Sequence, residues 1–187
     1  MARIVILSGS VNNSSRLYGL IQHSESKLQQ LGNETDTVHI ADLPAGDLIR
    51  ANFGSEHVKA ALSLVEQADA VIVASPVYKA AYSGVLKTFL DLIPQKGLEG
   101  KLLLPVFLGG TIAHLLSIDY ALKPVLAALG GTHILGGVYA VDQSVSRLQD
   151  GGFELSEEVS TRLEEALAQL SSELSRQGSQ AEITAAR

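Results

Sequence analysis

The chain contains no cysteine, no tryptophan and a single methionine among its 187 residues. The lack of cysteine excludes disulfides, thiolate metal sites and cysteine nucleophiles, and it agrees with a reducing compartment. No apolar run approaches the roughly 18 residues that a membrane-spanning helix requires. A strand pattern begins directly after Met1 and Ala2, which leaves no room for a secretory signal. We therefore expect a cytoplasmic protein that makes no membrane contact.

Positive charge is also scarce and scattered. The chain has 14 Lys and Arg against 20 Asp and Glu, a net charge of −6, and an isoelectric point near 5.3. Because nucleic-acid-binding domains carry a basic patch or stripe, we expect no nucleic-acid partner. An anionic ligand would have to be held locally, by backbone N–H groups, hydroxyls and one or two cations.

Residue patterns for hydrolytic and metal chemistry are missing as well. No H-E-x-x-H, G-x-S-x-G or paired-carboxylate motif occurs, and the 5 histidines lack metal-ligand spacing. His114 follows a glycine-rich loop and could approach a ligand, but a lone histidine at a helix start more often has a structural role. We predict no metal site and no catalytic side chain, which fits a cofactor that carries its own chemistry.

What the chain has in abundance is apolar segments, at 46% hydrophobic residues. Strand patterns over residues 4–8, 35–40, 69–75, 102–108 and 132–141 alternate with helix patterns over residues 15–31, 56–67, 83–93, 113–129 and 156–176. Continuously apolar strands are typical of a parallel sheet that is covered on both faces. The order predicts a single α/β domain over residues 1–176, with loops over 42–55 and 142–153. The small, polar segment 177–187 is predicted to be a disordered tail.

The loop after the first strand reads Ser8-Gly9-Ser10-Val11-Asn12-Asn13-Ser14-Ser15-Arg16. Its hydroxyls and glycine precede a helix, whose free N–H groups and positive dipole end favour an anion. The loop matches neither the P-loop nor the dinucleotide-binding pattern, so a monophosphate is the expected ligand. A Ser- and Asn-rich helix cap would explain the same composition without a ligand.

Two more loops follow buried strand patterns. After the third strand, Pro76 is expected to end the strand because it lacks an N–H donor, and Tyr78, Lys79 and Tyr82 then offer rings and a charge. The fourth strand ends in Gly109-Gly110-Thr111. If the strands are adjacent, their loops converge on one crevice at a topological switch point. Ordinary connecting turns remain the alternative for both loops.

The helix pattern over residues 113–129 is apolar on more than one stripe. A helix that is apolar nearly all round is buried, either against another subunit or deep against the sheet. Pro124 lies inside it and removes a backbone hydrogen bond, so we predict a distortion near Tyr120.

With these segments the chain resembles the flavodoxin-like NADPH-dependent FMN reductases, in particular those of bacterial alkanesulfonate utilisation. The resemblance is carried by Gly9-Ser10 with Ser15-Arg16, by the run over residues 74–84 and by the run over residues 109–126. It implies a doubly wound five-stranded parallel sheet in the order 2-1-3-4-5, with helices on both faces. It also implies hydride transfer from NADPH, or NADH, to N5 of FMN, which acts as a substrate or is weakly bound. Reduced flavin would pass to a flavin-dependent monooxygenase, and the enzyme would be a homotetramer.

The resemblance also implies roles for particular residues. Phosphate contacts fall to Ser10, Ser15 and Arg16, ring contacts to Pro76, Val77, Tyr78 and Lys79, and ring-edge contacts to Gly109, Gly110 and Thr111. Tyr120 matches a tyrosine in a distorted helix at the tetramer interface beside the flavin.

One position departs from the family pattern. Asn12 stands where the family often has arginine; it can donate a hydrogen bond to the phosphate but supplies no charge, which predicts weaker FMN retention. Two alternatives stay open: an enzyme that keeps FMN bound and reduces quinones, azo dyes or metal oxyanions, and, ranked lower, a flavodoxin-type electron carrier.

Overall fold

The computed structural model describes residues 1–12 and 14–185, with side chains to residue 178. The strands are β1 (Arg3–Ser8), β2 (Glu34–His39), β3 (Ala70–Tyr78), β4 (Ala81–Tyr82), β5 (Leu102–Gly109), β6 (His133–Ile134), β7 (Val138–Val141), β8 (Val145–Arg147) and β9 (Phe153–Leu155). The α-helices are α1 (Leu17–Gln30), α2 (Ala45–Ile49), α3 (Glu56–Gln67), α4 (Gly84–Leu90), α5 (Lys123–Ala128) and α6 (Glu157–Ala185). A π-helical turn spans Ile118–Leu122, and 3-10 turns span Ile40–Asp42, Ile112–His114 and Asp142–Ser144.

The main sheet is parallel and has the order β2-β1-β3-β5, with β6 and β7 both paired to β5. Because β6 and β7 are two halves of one strand position, the predicted order 2-1-3-4-5 is confirmed. The two-residue strand β4 adds an antiparallel pair to the end of β3.

Both faces of the sheet are covered, as the continuously apolar strands predict. Alternate residues of β1 point to opposite sides: Ile4 and Ile6 pack with α1 and α6, whereas Val5 and Leu7 pack with α3, α4 and α5. On α6 an apolar stripe is buried against the sheet, and it comprises Val159, Leu163, Leu167 and Leu170.

The fifth strand position is split at the place where β5 contains a proline. Leu103 and Val106 are three residues apart on β5, whereas their pairing partners Ile134 and Val138 are four residues apart. One residue is therefore extra, which is a β-bulge, and Gly137 takes a positive φ of 86° within it. Pro105, between Leu103 and Val106, has no N–H to donate to a neighbouring strand, so the ladder is already incomplete there.

Several predicted boundaries were wrong. Strand β3 runs past Pro76 to Tyr78, because Pro76 still pairs in register with Leu108. The predicted helix over 113–129 is a 3-10 turn, a π-helical turn and the short helix α5, with the expected distortion at Tyr120. The predicted loop over 142–153 contributes strands to the β8–β9 hairpin, and α2 lies within the predicted loop over 42–55.

The C-terminal helix is longer than expected. Its hydroxyl cap is present, because Val159 N donates to Ser156 Oγ at 3.4 Å, but α6 continues beyond the predicted end at Arg176 to Ala185. Residues 186 and 187 of the predicted tail lie outside the described residues. Within the described part of the chain, no helix combines the length and apolar character needed to span a membrane.

The β8–β9 hairpin packs onto α1 at Gly19. A Cβ at Gly19 would lie 2.7 Å from Phe153 Cβ and 2.9 Å from Val145 Cγ1, which is closer than carbon atoms can approach. The glycine therefore lets the hairpin sit directly on the first turns of α1.

Substitution Gly19→Ala is expected to lower the free energy of unfolding by about 1–3 kcal/mol, because the hairpin must shift. Alanine is the better helix former by about 1 kcal/mol, so the sign of the change reports the clash. The control is Gly46→Ala in α2, where an added Cβ meets nothing within 4 Å. Urea denaturation of both variants measures the effect; a Gly19→Ala protein as stable as the Gly46→Ala protein would contradict it.

Candidate functional site

Three loops meet at the carboxyl edge of the sheet, where β1, β3 and β5 lie side by side. We call them the phosphate loop (residues 9–12 and 14–16), the hairpin turn (residues 77–82) and the glycine loop (residues 109–111). Strand order reverses between β1 and β3, so this edge is the switch point at which open α/β sheets bind ligands. The predicted convergence of the loops is confirmed.

Two buried serines hold the phosphate loop against the start of α4. Ser83 Oγ donates to Gly9 O at 2.6 Å and accepts from Leu86 N at 3.1 Å, so it caps α4 and anchors the loop together. Ser75 Oγ accepts from Ser83 N at 2.9 Å. Sequence reasoning missed both serines, although the sequence Ser83-Gly84 before a helix is a capping signal.

Only glycine fits at position 9. Its N–H donates to Ala74 O at 2.8 Å, and an added Cβ would lie 2.7 Å from Leu86 Cβ and 2.9 Å from Ser83 Oγ. These contacts fix the position of the first residue of the phosphate loop relative to β3 and α4.

Hydrogen bonds within the phosphate loop shape it before any ligand binds. Ser10 Oγ donates to Asn12 O at 2.8 Å, and Ser14 Oγ donates to Asn12 Oδ1 at 2.9 Å. Leu17 N, at the first residue of α1, donates to Ser15 Oγ at 3.2 Å, whereas Arg16 holds the N-cap position and makes no side-chain cap bond. Ser10 is buried, whereas Asn12 and Ser14 are exposed.

Capping does not account for the whole loop, because polar atoms at both of its ends are left without partners. Among the side chains that the structure describes, the buried polar atoms without a hydrogen bond are Ser8 Oγ, Arg16 Nε and Ser117 Oγ. Ser8 shares the sheet face of Ile4 and Ile6, beneath α1. A buried unpaired polar group destabilises a fold by about 1–3 kcal/mol. The loop nevertheless gathers hydroxyls, the Arg16 guanidinium and the first N–H groups of α1, with no acidic residue in the first turn of that helix, so its donor set fits a phosphate group.

Backbone strain marks the hairpin turn. Lys79 and Ala80 are the two turn residues between β3 and β4, and both have positive φ, 50° and 62°. This turn geometry favours glycine or asparagine, and other residues cost roughly 1–2 kcal/mol each there. Its effect is to hold Tyr78 and Lys79 out at the exposed rim, while Pro76 stays buried.

The glycine loop is fixed from behind by a tyrosine that sequence reasoning missed. Tyr139 Oη donates to Thr111 O at 2.7 Å, and a Cβ at Gly109 would lie only 2.1 Å from Tyr139 Oη. Burial raises the pKa of Tyr139, so the hydroxyl keeps its proton and remains a donor. Gly110 and Thr111 are left exposed toward the crevice edge.

Tyr120 lies beside these loops. It belongs to the π-helical turn, which packs against β4, and it is 79% exposed. Pro124, at the start of α5, cannot donate to the carbonyl four residues before it, which is that of Tyr120. His114 ends the 3-10 turn after the glycine loop and is half-buried.

The site as a whole is an open shelf with the phosphate loop at one end and mostly backbone along its sides. The described residues hold no cluster of three acidic or histidine side chains that could bind a metal ion. Such a shelf can position a flat phosphorylated ligand. Fold and site together define a flavodoxin-like α/β protein with a phosphate loop at its switch point.

Comparison with known proteins identifies the family. A family model described as NADPH-dependent FMN reductase matches residues 2–146. The chain belongs to this family, which confirms the resemblance inferred from the sequence. The family description also confirms the expected use of FMN and NADPH.

Individual relatives agree. The chain is 48% identical over 143 residues to an FMN reductase (NADPH) of Pseudomonas putida, covering 76% of this chain and 73% of the relative. It is 36% identical to the NADH-dependent FMN reductase SfnF of Pseudomonas putida, covering 74% of this chain and 76% of the relative. A crystal structure of an NADH:FMN oxidoreductase, EMOB, in its apo form superposes with a TM-score of 0.82 at 31% identity, covering 91% of this chain and 89% of that one.

Removal of the Ser83 hydroxyl tests the anchoring of the phosphate loop. Ser83→Ala is expected to lower the free energy of unfolding by roughly 2–4 kcal/mol, because α4 loses its cap and Gly9 O loses its donor. The matched control is Ser55→Ala, which removes the cap of α3 and a bond to Asp47 and should cost only about 1 kcal/mol. Denaturant unfolding and FMN titration report both effects. Equal FMN affinities in the two variants would count against the anchoring role.

Proposed function

We propose that this chain is an NAD(P)H-dependent FMN reductase that supplies reduced flavin to a flavin-dependent monooxygenase. One observation carries the FMN assignment: the phosphate loop brings hydroxyls and the Arg16 guanidinium to the free N–H groups at the start of α1, whose first turn holds no acidic residue. They call for an anion at the end of an otherwise backbone-lined shelf, and FMN combines a terminal phosphate with a flat ring system.

The roles of the chain's own residues follow from their positions. Ser10, Ser15 and Arg16 with Asn12 would hold the phosphate at the start of α1, where the helix dipole also favours negative charge. Pro76, Val77, Tyr78 and Lys79 would support the ring from the hairpin turn, and Gly109, Gly110 and Thr111 would border its edge. Bound FMN supplies the redox chemistry by accepting a hydride from the nicotinamide. The protein contributes orientation, which is what such a transfer requires.

The openness of the shelf favours flavin as an exchanging substrate. Tyr78, Lys79, Gly110 and Thr111 are all exposed in the described structure, and Asn12 brings no charge to the phosphate. Both features support weak retention over a resident prosthetic group, and therefore a two-component reductase over a quinone, azo or metal-oxyanion reductase. The electron carrier remains the third choice, since the family is one of NADPH-dependent reductases.

Relatives guide the choice of nicotinamide and partner. The relative that is 48% identical is named for NADPH, whereas the one that is 36% identical is named for NADH. We therefore favour NADPH, with NADH as the second donor. A monooxygenase of alkanesulfonate or other organosulfur utilisation is the proposed recipient of the reduced flavin, and a cytoplasmic location stays a prediction.

A homotetramer is part of the proposal. Around Tyr120 the surface exposes a group of large apolar side chains, namely Ile112, Leu115 and Leu116. Contiguous apolar patches of this kind mark interfaces in soluble proteins. The patch adjoins the shelf through β4, so assembly would place a second subunit beside the flavin.

Titration of FMN into the purified protein tests the proposed activity. NADPH oxidation should start near zero in flavin-free enzyme and saturate as FMN is added, because flavin enters the reaction as a substrate. A full rate without added FMN, raised further by quinone, would instead support the enzyme with resident flavin. A protein that binds FMN but oxidises no NADPH with any acceptor would support the electron carrier.

Disruption of the apolar patch tests assembly. Leu116→Lys, at a side chain that is 56% exposed, should convert the tetramer to smaller species in analytical ultracentrifugation, because it buries a charge in the interface. Ile49→Lys is the matched control, since Ile49 is 73% exposed on α2, away from the patch. A wild-type protein that sediments as a monomer at all concentrations would remove the tetramer from the proposal.

A further inference from the structure

An arginine from outside the phosphate loop is fastened to it. Arg147, the last residue of β8, donates through Nε to Ser14 O at 3.1 Å, and its Nη2 donates to the same oxygen. The two residues are 133 positions apart in the chain. The segment matched by the family model ends at residue 146, immediately before this arginine.

The hairpin that carries Arg147 is firmly held. Val145 at its base is 1% exposed and belongs to the core between the sheet and the α1–α6 layer. Ser156 N donates to Ser144 O at 2.8 Å, and Leu148 N donates to Gly152 O at 2.9 Å across the hairpin end. The hairpin also rests on Gly19 of α1, two positions after the helix begins. Arg147 therefore reaches the loop from a fixed support.

The phosphate loop thus has an arginine on each of two sides, and neither is neutralised. Within the described residues, neither Arg16 nor Arg147 has a carboxylate within ion-pair distance, although the chain has a net charge of −6. A guanidinium carries several N–H donors in a rigid fork. With Nε and one Nη2 proton on Ser14 O, Arg147 keeps its Nη1 group free for an anion.

A buried serine lies directly before the loop. Ser8 is 1% exposed, and its Oγ has no partner although it lies at the base of the loop, on the face covered by α1. An anion held at the phosphate loop would meet two guanidinium groups, those of Arg16 and Arg147, that no described carboxylate neutralises.

We propose that Arg147 is a positioning residue of the phosphate site: it fixes the loop through Ser14 O and brings the positive charge that Asn12 does not supply. This inference rests on the proposed function, since the anion is taken to be the phosphate of FMN. The β8–β9 hairpin is then the outer wall of the site, and binding depends on the phosphate group, so that FMN is preferred over riboflavin.

Binding of FMN and riboflavin to the flavin-free full chain tests the proposal, because the two ligands differ only in the phosphate. Quenching of flavin fluorescence gives both dissociation constants without turnover. Arg147→Ala should weaken FMN binding roughly tenfold or more, while riboflavin binding changes by less than about twofold because its contacts remain. Arg147→Lys should fall between, since lysine keeps the charge but loses the fork.

Arg176→Ala is the control for net charge. Arg176 is exposed on α6 and its Nε donates to Ser172 O of the same helix, so both flavins should bind this variant as they bind the wild type. The thermal unfolding temperature of each flavin-free variant shows whether the substitution has destabilised the packing of the β8–β9 hairpin.

Three results would overturn the proposal: FMN affinity unchanged in Arg147→Ala, equal losses for FMN and riboflavin with a lowered unfolding temperature, or a loss confined to the NADPH KM. Failure of the proposed function has a different signature. In that case the wild-type protein itself either binds neither flavin or fails to oxidise NADPH when FMN is present.

Discussion

The close approach of Gly9 to the beginning of α4 is the constraint on which the site depends. The backbone at Gly9 is held from one side by Ala74 O on β3 and from the other by Ser83 Oγ, and no side chain fits between. Loop positions at this edge of the sheet are therefore linked to each other and not only to their own strands. The proposed phosphate and ring positions, at the ends of β1 and β3, would be kept in one geometry by these few buried contacts.

The rest of the site follows a similar principle, in which buried anchors hold exposed backbone. Tyr139 fixes the glycine loop from below, and a strained turn holds Tyr78 and Lys79 at the rim. The surfaces offered to a ligand are mostly main chain and small residues, so the proposed recognition relies on shape and on hydrogen-bond donors in the phosphate loop. This is the arrangement expected when a cofactor brings the reactivity and the protein supplies placement.

The two ends of the chain meet at the phosphate loop. The α1–α6 layer is built from an early helix and the last one, and the β8–β9 hairpin that precedes α6 returns to the loop that precedes α1. Arg147, which directly follows the family-matched residues, thereby contacts the loop after β1, which is the first part of the site along the chain. A binding site assembled from both ends is completed only when the domain is fully folded.

The sequence alone determined the layer architecture and the place of the site. Apolar runs without alternation predict buried parallel strands, and Gly-, Ser- and Pro-rich loops after three of them locate the ligand edge, because these are local properties of composition and period. Pro124 likewise predicts the distorted helix at Tyr120, since a missing N–H acts within one turn. Only the tertiary structure decided which side chains hold the loops: Ser83, Tyr139 and Arg147 bond to residues 74, 28 and 133 positions away in the chain, which no local pattern reports. It also decided that β3 continues through Pro76 and that residues 145–147 form a strand, because pairing with a neighbouring segment, and not the segment's own composition, creates those elements.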